Sequence, residues 1–334
     1  MTTNPIRIAL IGAGVFAQTA HIPAILALGD TFEIVAIYSR NLENAQARAA
    51  QINYPVAMTN DLPGLLIRQD VDALDILLPI HMQALVTEMA LGSNKHVISE
   101  KPIAPDMATA QALIERYTGT HVWMVAENYR YEPTFLKARE LIDAGAIGRP
   151  LSVSLARHIP FMPTNKYYDS GWRRGGDFPG GLLLDGGIHH IAALRLLLGE
   201  ITQVSAITAL FRDDLPPADA LASHLLFANG AIGTYLVNYS SGIANVTDFA
   251  LHGEAGSLHI GLGEITLNNA DGRQTIYASE TRSVDAEFAA FAAAINHGEA
   301  HQNTPQQALQ DLAVLEALLQ SAERGEIVSV ATFV

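Results

Sequence analysis

"IRIALIGAGVFA", residues 6–17, is an apolar run closed by two glycines and an alanine. Its first seven residues read as a strand buried on both faces, as in parallel sheets. "VFAQTAHIPAILAL" follows as a helix, with a kink expected at Pro23. Gly12, Gly14 and Ala17 therefore sit between a strand and a helix, the context that gives glycine spacing its meaning. Gly12 permits the tight turn, Gly14 lets a pyrophosphate approach the backbone, and Ala17 replaces a third glycine at the helix–strand contact. The helix N-terminus favours the phosphate charge. This stretch predicts a dinucleotide-binding turn.

The pattern continues outward. "FEIVAIYS", "VDALDILLP", "HVISEKP" and "HVWMVAE" read as further strands. "NLENAQARAAQI", capped by Asn41, "HMQALVTEMALG" and "PDMATAQALIERYTG" read as the helices between them. Alternating strands and helices imply right-handed crossovers and a doubly wound parallel sheet. After about residue 150 the pattern becomes mostly strands, with "ANG" and "ADG" as hairpin turns, and helices near 283–297 and 305–324. The fold expected is α/β: a Rossmann domain over residues 1–124, then an α+β domain over 125–334 with a large, open, mostly antiparallel sheet.

The chain has 334 residues, 49% of them hydrophobic, enough for two cores. A net charge of −14 argues against a nucleic-acid or anionic-membrane surface. Without cysteine there is neither a disulfide nor thiolate chemistry. No run of about 18 uninterrupted apolar residues predicts a membrane span, and no signal peptide is read, so a cytoplasmic location is expected.

The second strand ends in "YSRN", where an NAD site usually carries an acid for the ribose hydroxyls. Ser39 and Arg40 stand there instead, and a guanidinium suits a 2′-phosphate, so NADP is expected ahead of NAD.

Three further stretches accompany the glycine turn: "KHVISEKP" with Glu100, Lys101 and Pro102, "VAENYRYEP" with Asn128 and Arg130, and "GGLLLDGGIHHIAALRLLLG" with Asp185 and His189. Together and in this order they resemble the glucose–fructose oxidoreductase and inositol dehydrogenase family (Gfo/Idh/MocA), over nearly the whole chain. The resemblance implies a nicotinamide cofactor and a sugar, polyol or related substrate. It implies that Lys101, Asp185 and His189 are catalytic. It extends the cofactor contacts to Val15, Phe16, Leu78, Pro79, Glu100, Lys101, Asn128 and, beside Ser39 and Arg40, Asn41. The chain departs from the family at Ile80 and Gln83, where an asparagine and a later histidine are common, and at Ala192, where an aspartate is common.

Asp185 and His189 are four residues apart and share a helix face. Gly186 and Gly187 each cost about 0.5–1 kcal/mol in a helix interior relative to alanine, so their absent side chains are expected to admit a ring or backbone. An acid, a histidine and two glycines suit an active-site wall, while His190, pointing elsewhere, reads as structural. His189 can accept the hydroxyl proton of an alcohol, and Lys101 can stabilise the developing alkoxide; Lys101 as proton donor is the alternative division of labour. No metal is expected, because no compact zinc-ligand spacing occurs.

The loop "NKYYDSGWRR", residues 165–174, is expected to form part of the substrate wall through Lys166, Tyr168, Trp172 and Arg173, with Arg130 as a further substrate contact. Exposed sheet strands in the second domain predict a homodimer or homotetramer. Two other functions compete with the oxidoreductase: a non-catalytic dinucleotide-binding regulator or sensor, and a dehydratase or glycosidase that retains NAD.

Overall fold

The computed structural model describes residues 4–117, 119–175, 180–242 and 245–334. The chain begins with β1 (Ile6–Ile11), α1 (Ile22–Ala27), β2 (Phe32–Tyr38), α2 (Leu42–Ala49), β3 (Ala57–Thr59), α3 (Leu62–Leu66), β4 (Ala73–Ile76), α4 (Ile80–Leu91), β5 (His96–Glu100), α5 (Met107–Arg116) and β6 (Trp123–Ala126). It continues with α6 (Pro133–Asp143), β7 (Pro150–His158), α7 (Gly171–Arg174), α8 (Gly181–Leu198), β8 (Ile201–Ala209), β9 (Ala220–Phe227) and β10 (Ile232–Asn238). The last elements are β11 (Val246–Gly253), β12 (Gly256–Ile260), β13 (Glu264–Asn269), β14 (Gly272–Tyr277), α9 (Ser283–His297), α10 (Pro305–Arg324) and β15 (Val328–Ser329).

These elements form two compact units, Met1–Asn128 with Ser283–Leu309, and Tyr129–Arg282 with Gln310–Val334. The expected division into contiguous domains at residue 124 is thereby corrected. The reason is hydrophobic: α9 carries Phe288 and Phe291, both fully buried in the core of the first unit with Ile25 and Phe32. Phe32 meets Phe288 edge-on at 5.9 Å and stacks with Phe291 at 6.5 Å. Removing about 150–250 Å² of aromatic surface per ring from water is enough to draw the chain back.

The first unit is a six-stranded parallel sheet in the order β3-β2-β1-β4-β5-β6. Ile8, Leu10, Ile34, Ile37, Leu74 and Ile98 are fully buried, which is why these strands read as continuous apolar runs. Strand order reverses between β1 and β4, the position where doubly wound sheets bind ligands beyond the strand ends. The edge strand β3 and the short α3 were not legible in the sequence, since Ala57 and Met58 are exposed and carry no apolar pattern.

The second unit is a nine-stranded sheet in the order β14-β13-β12-β11-β7-β10-β9-β8-β15, antiparallel except for the β7–β10 pair. The "ANG" and "ADG" turns close the β9–β10 and β13–β14 hairpins, with Gly230 and Gly272 at φ of 86° and 103°. α6 and α8 cover one sheet face. α8 is long and apolar enough to cross a membrane, but it is the core helix of this unit, and most of its residues are buried.

The two glycines in α8 have separate causes. A Cβ on Gly186 would collide with the Tyr239 hydroxyl, and one on Gly187 would sit 3.0 Å from Leu315. The Tyr239 hydroxyl is buried and has no hydrogen-bond partner among the described residues, so Gly186 exists to admit a ring. Gly186→Ala should lower stability by about 1–3 kcal/mol through overpacking. Adding Tyr239→Phe should recover part of that loss in urea melts; a double variant no more stable than Gly186→Ala would show that the hydroxyl is not the obstacle.

Candidate active site

The residues expected to bind the nucleotide lie in the first unit. Gly12 has φ of 126°, and its N–H donates to the Tyr38 carbonyl at 3.0 Å. A Cβ there would strike the Leu77 carbonyl, so only glycine permits β1 and the end of β4 to approach so closely. Gly14 is exposed, with no heavy atom within 4 Å of where a Cβ would sit. Open space beside such a turn is what the close approach of a pyrophosphate requires. Val15 and Phe16 are half-buried, and Ala17 is buried against the sheet.

At the end of β2, the Ser39 N–H donates to the Thr59 carbonyl at 3.0 Å. The Asn41 side chain caps α2 by accepting from the Glu43 N–H at 2.9 Å. Arg40 is exposed and has no partner among the described residues. Arg48 Nε donates to the Ala13 carbonyl at 3.2 Å and ties α2 to the glycine turn. Leu78 and Pro79 follow β4 half-buried. The Asn128 amide donates to Ser283 Oγ at 2.8 Å. The open Gly14 and the unpaired Arg40 fit a phosphate-bearing dinucleotide.

Lys101 follows β5 in a segment held by several hydrogen bonds, and the Lys101–Pro102 peptide is cis. Buried Gln83 donates from its amide to the Glu100 carbonyl, and to the Pro102 carbonyl at 2.9 Å. The Glu100 side chain, expected to serve the cofactor, is engaged otherwise. One oxygen accepts from the Lys101 N–H at 3.2 Å, and the other lies 3.0 Å from His21 Nε2. His21 Nδ1 in turn lies 2.9 and 3.1 Å from the two Asp75 oxygens. Glu287 of α9 is buried beside this group, accepts from the Asn303 amide at 2.7 Å, and is held well above the usual carboxylate range by burial. Sequence reasoning missed His21, Asp75 and Glu287. The signal was present for two of them: an acid inside the wholly apolar strand "ALDI" and a histidine inside an apolar helix.

The remaining candidate residues lie in the second unit. α8 presents Asp185 and His189 one turn apart. Asp185 accepts from Arg173 Nε at 2.7 Å. The half-buried His189 ring stacks on Tyr129 at 4.6 Å, while buried His190 bonds the Tyr235 hydroxyl through Nδ1 at 2.8 Å. Adjacent histidines thus differ in setting: one ring is built into the core, and the other is half-buried.

The 165–174 loop is cross-linked within itself. Arg173 lies over the Trp172 ring at 4.1 Å and the Tyr167 ring at 4.9 Å. Arg174 lies over Tyr168 at 4.2 Å, Lys166 lies 4.9 Å from the Tyr167 ring centre, and the Tyr168 hydroxyl donates to Asp214 at 2.5 Å. The loop reaches the Asp185 helix through Arg173. Arg130, expected to touch substrate, is corrected: it is buried and ion-paired with Asp311 at 2.5 Å. A guanidinium taken out of water needs a fixed counter-charge, which Asp311 supplies.

Two family models match the chain: an oxidoreductase family with an NAD-binding Rossmann fold over residues 6–128, and the C-terminal α/β domain of the same family over residues 139–330. Dehydrogenase FPY6 of Fusarium mangiferae is 33% identical, over 95% of this chain and 96% of that protein. A 1,5-anhydro-D-fructose reductase of Ensifer adhaerens is 27% identical, over 98% of this chain and 99% of that protein. The crystal structure of an oxidoreductase from Thermotoga maritima superimposes with a TM-score of 0.91 at 35% identity, covering 97% of this chain and 98% of that one. Glycine turn, strand order, motif residues and these matches agree: the chain belongs to the Gfo/Idh/MocA family of oxidoreductases, with an NAD-binding Rossmann domain.

Proposed function

We propose that this enzyme transfers hydride between NADP and a hydroxyl- or carbonyl-bearing carbon of a small sugar, polyol or related molecule. The observation that carries this reading is the contrast between the two histidines of α8. His190 is locked in the core, whereas His189 is only half-buried, on the face that bears the Arg173-paired Asp185. An imidazole exchanges protons in the physiological range, which suits it to take the proton of a substrate hydroxyl. Tyr129, stacked on the ring, limits its orientations. The Asp185–Arg173 pair fixes the helix face beside it. Lys101 supplies a positive charge to the alkoxide in oxidation, and polarises the carbonyl in reduction. When bound, the nicotinamide accepts or delivers the hydride. The sugar-like substrate class rests on relatives such as 1,5-anhydro-D-fructose reductase.

Lys101→Met and His189→Ala should each lower kcat by about 10²–10⁴-fold while leaving dinucleotide affinity near that of the parent. The assay is absorbance of the reduced cofactor across a panel of sugars and polyols. Near-parental turnover in both variants would reject the assignment.

The cofactor preference rests on Arg40, exposed and without a partner among the described residues, just after β2. Arg40→Ala should weaken NADP binding by about 1.5–3 kcal/mol more than NAD binding, the size of a charged hydrogen bond. Equal losses in calorimetric titrations would exclude a 2′-phosphate contact.

We also propose a homo-oligomer formed through the uncovered sheet face. That face carries Ile207 and Ile232, 71% and 61% exposed. Ser154, Ser205, His224, Ile232 and Thr234 line a shallow hollow of about 510 Å³ on it. Light scattering should give the mass of a dimer or tetramer, and Ile207→Glu with Ile232→Glu should reduce it. A parent protein of monomer mass at micromolar concentration would rule the assembly out.

A further inference from the structure

We propose that His21 is a positioning residue for Lys101: its ring, clasped between Asp75 and Glu100, fixes the carboxylate that holds the Lys101 backbone N–H. The ring joins three segments of the first unit. His21 ends the wide helical turn Ala17–His21 that follows the glycine turn, Asp75 belongs to β4, and Glu100 ends β5. The side chains of His21 and Asp75 are completely buried, and that of Glu100 is 13% exposed. Such wide turns, with one residue more than an α-helical turn, are rare and recur at functional sites.

The proton inventory follows from the geometry. Both ring nitrogens face carboxylate oxygens, at 2.9 Å from Asp75 and 3.0 Å from Glu100. A neutral imidazole has a single N–H, so both contacts are hydrogen bonds only if the trio holds one more proton than a neutral ring with two carboxylates. Burial by itself would drive the ring toward its neutral form. The Asp75 charge and the hydrogen bonds that Asp75 and Glu100 accept outweigh it and raise the imidazole to about 10. Glu287 of α9, with Glu127 beside it, also faces the trio, and burial holds Glu287 well above the usual carboxylate range. Phe16 and Phe288 pack edge-on to the ring at 5.0 and 5.1 Å and exclude water.

The consequence falls on Lys101. Its backbone is held from one side by Glu100 Oε2, and the flanking carbonyls of Glu100 and Pro102 are held by Gln83. Loss of the His21 bond frees the Glu100 side chain to rotate, and the lysine loses its fixed direction while the glycine turn stays intact. Reaction rate, rather than cofactor affinity, is then what His21 controls.

The kinetic arm of the test rests on the hydride-transfer reading above; two other arms do not. Asparagine can reproduce the Nδ1 donor and loses the reach to Glu100, whereas glutamine can reproduce the Nε2 donor. His21→Asn should lower kcat by about 10–100-fold, the scale of a misplaced reacting group, with KM and NADP affinity within about threefold. His21→Gln should recover most of that loss. Competitive acetylation should show Lys101 changed in reactivity in His21→Asn and near-parental in His21→Gln, whether or not a substrate has been found. Unchanged kcat and unchanged labelling in His21→Asn would overturn the proposal. So would losses in both variants that merely track their melting temperatures. Ring nitrogen shifts of the parent protein add a test without any variant: both nitrogens should be hydrogen-bonded at about pH 8, and a ring nitrogen without a hydrogen bond there would overturn the clamp. Labelling as expected, with no turnover on any substrate, would leave the clamp standing and reject the hydride-transfer reading.

Discussion

A charge buried without water needs partners that cannot move, and the first unit is arranged around one such charge. His21 lies between Asp75 and Glu100, so the helix after the glycine turn, β4 and β5 must meet in one register. A slip of one residue in β4 would turn Asp75 toward the other sheet face and leave an uncompensated charge, which costs several kilocalories. The glycine turn depends on the same register. Gly12 touches Leu77, two residues beyond Asp75, and the ring of Phe16 rests on His21. Apolar burial makes this a sheet, and the buried trio selects which sheet.

The second unit repeats the device with opposite signs. Asp311 of α10 lies between Arg130 and Arg195, and Arg195 also grips Glu200. This cluster ties the turn before α6, the end of α8 and α10 together at a distance along the chain that no local pattern encodes. Around it, steric complementarity sets the position of α8. Glycine faces tyrosine at Gly186, and the Asp185–Arg173 pair anchors the loop before it. The half-buried His189 is held by packing on Tyr129, so its freedom is set by a neighbour outside its own helix.

These arrangements explain which residues were legible in the sequence. The glycine turn was, because a tight turn between strand and helix leaves few alternatives to glycine at positions 12 and 14. The i, i+4 relation of Asp185 and His189 was, because helical periodicity is local. The glycines of α8 announced a close approach, though not that Tyr239 and Leu315 would make it. Arg130 was misread, because nothing near it in sequence reveals Asp311. Glu100 was read as part of the right motif, while its partner His21 lies 79 positions away.

The sequence by itself determined the α/β class, the parallel first sheet, the hairpins of the second and the chemical groups on offer, since each follows from periodicity, turn residues or spacing within a few tens of residues. Only the tertiary structure decided which of those groups meet. It returned α9 to the first unit, placed Phe288 against His21, and gave Asp75, Arg130 and Arg173 their counter-charges. The reason is physical. Hydrophobic burial is non-directional and shows in composition and period, whereas a buried ion pair is directional and exists only once distant segments of the chain are packed together.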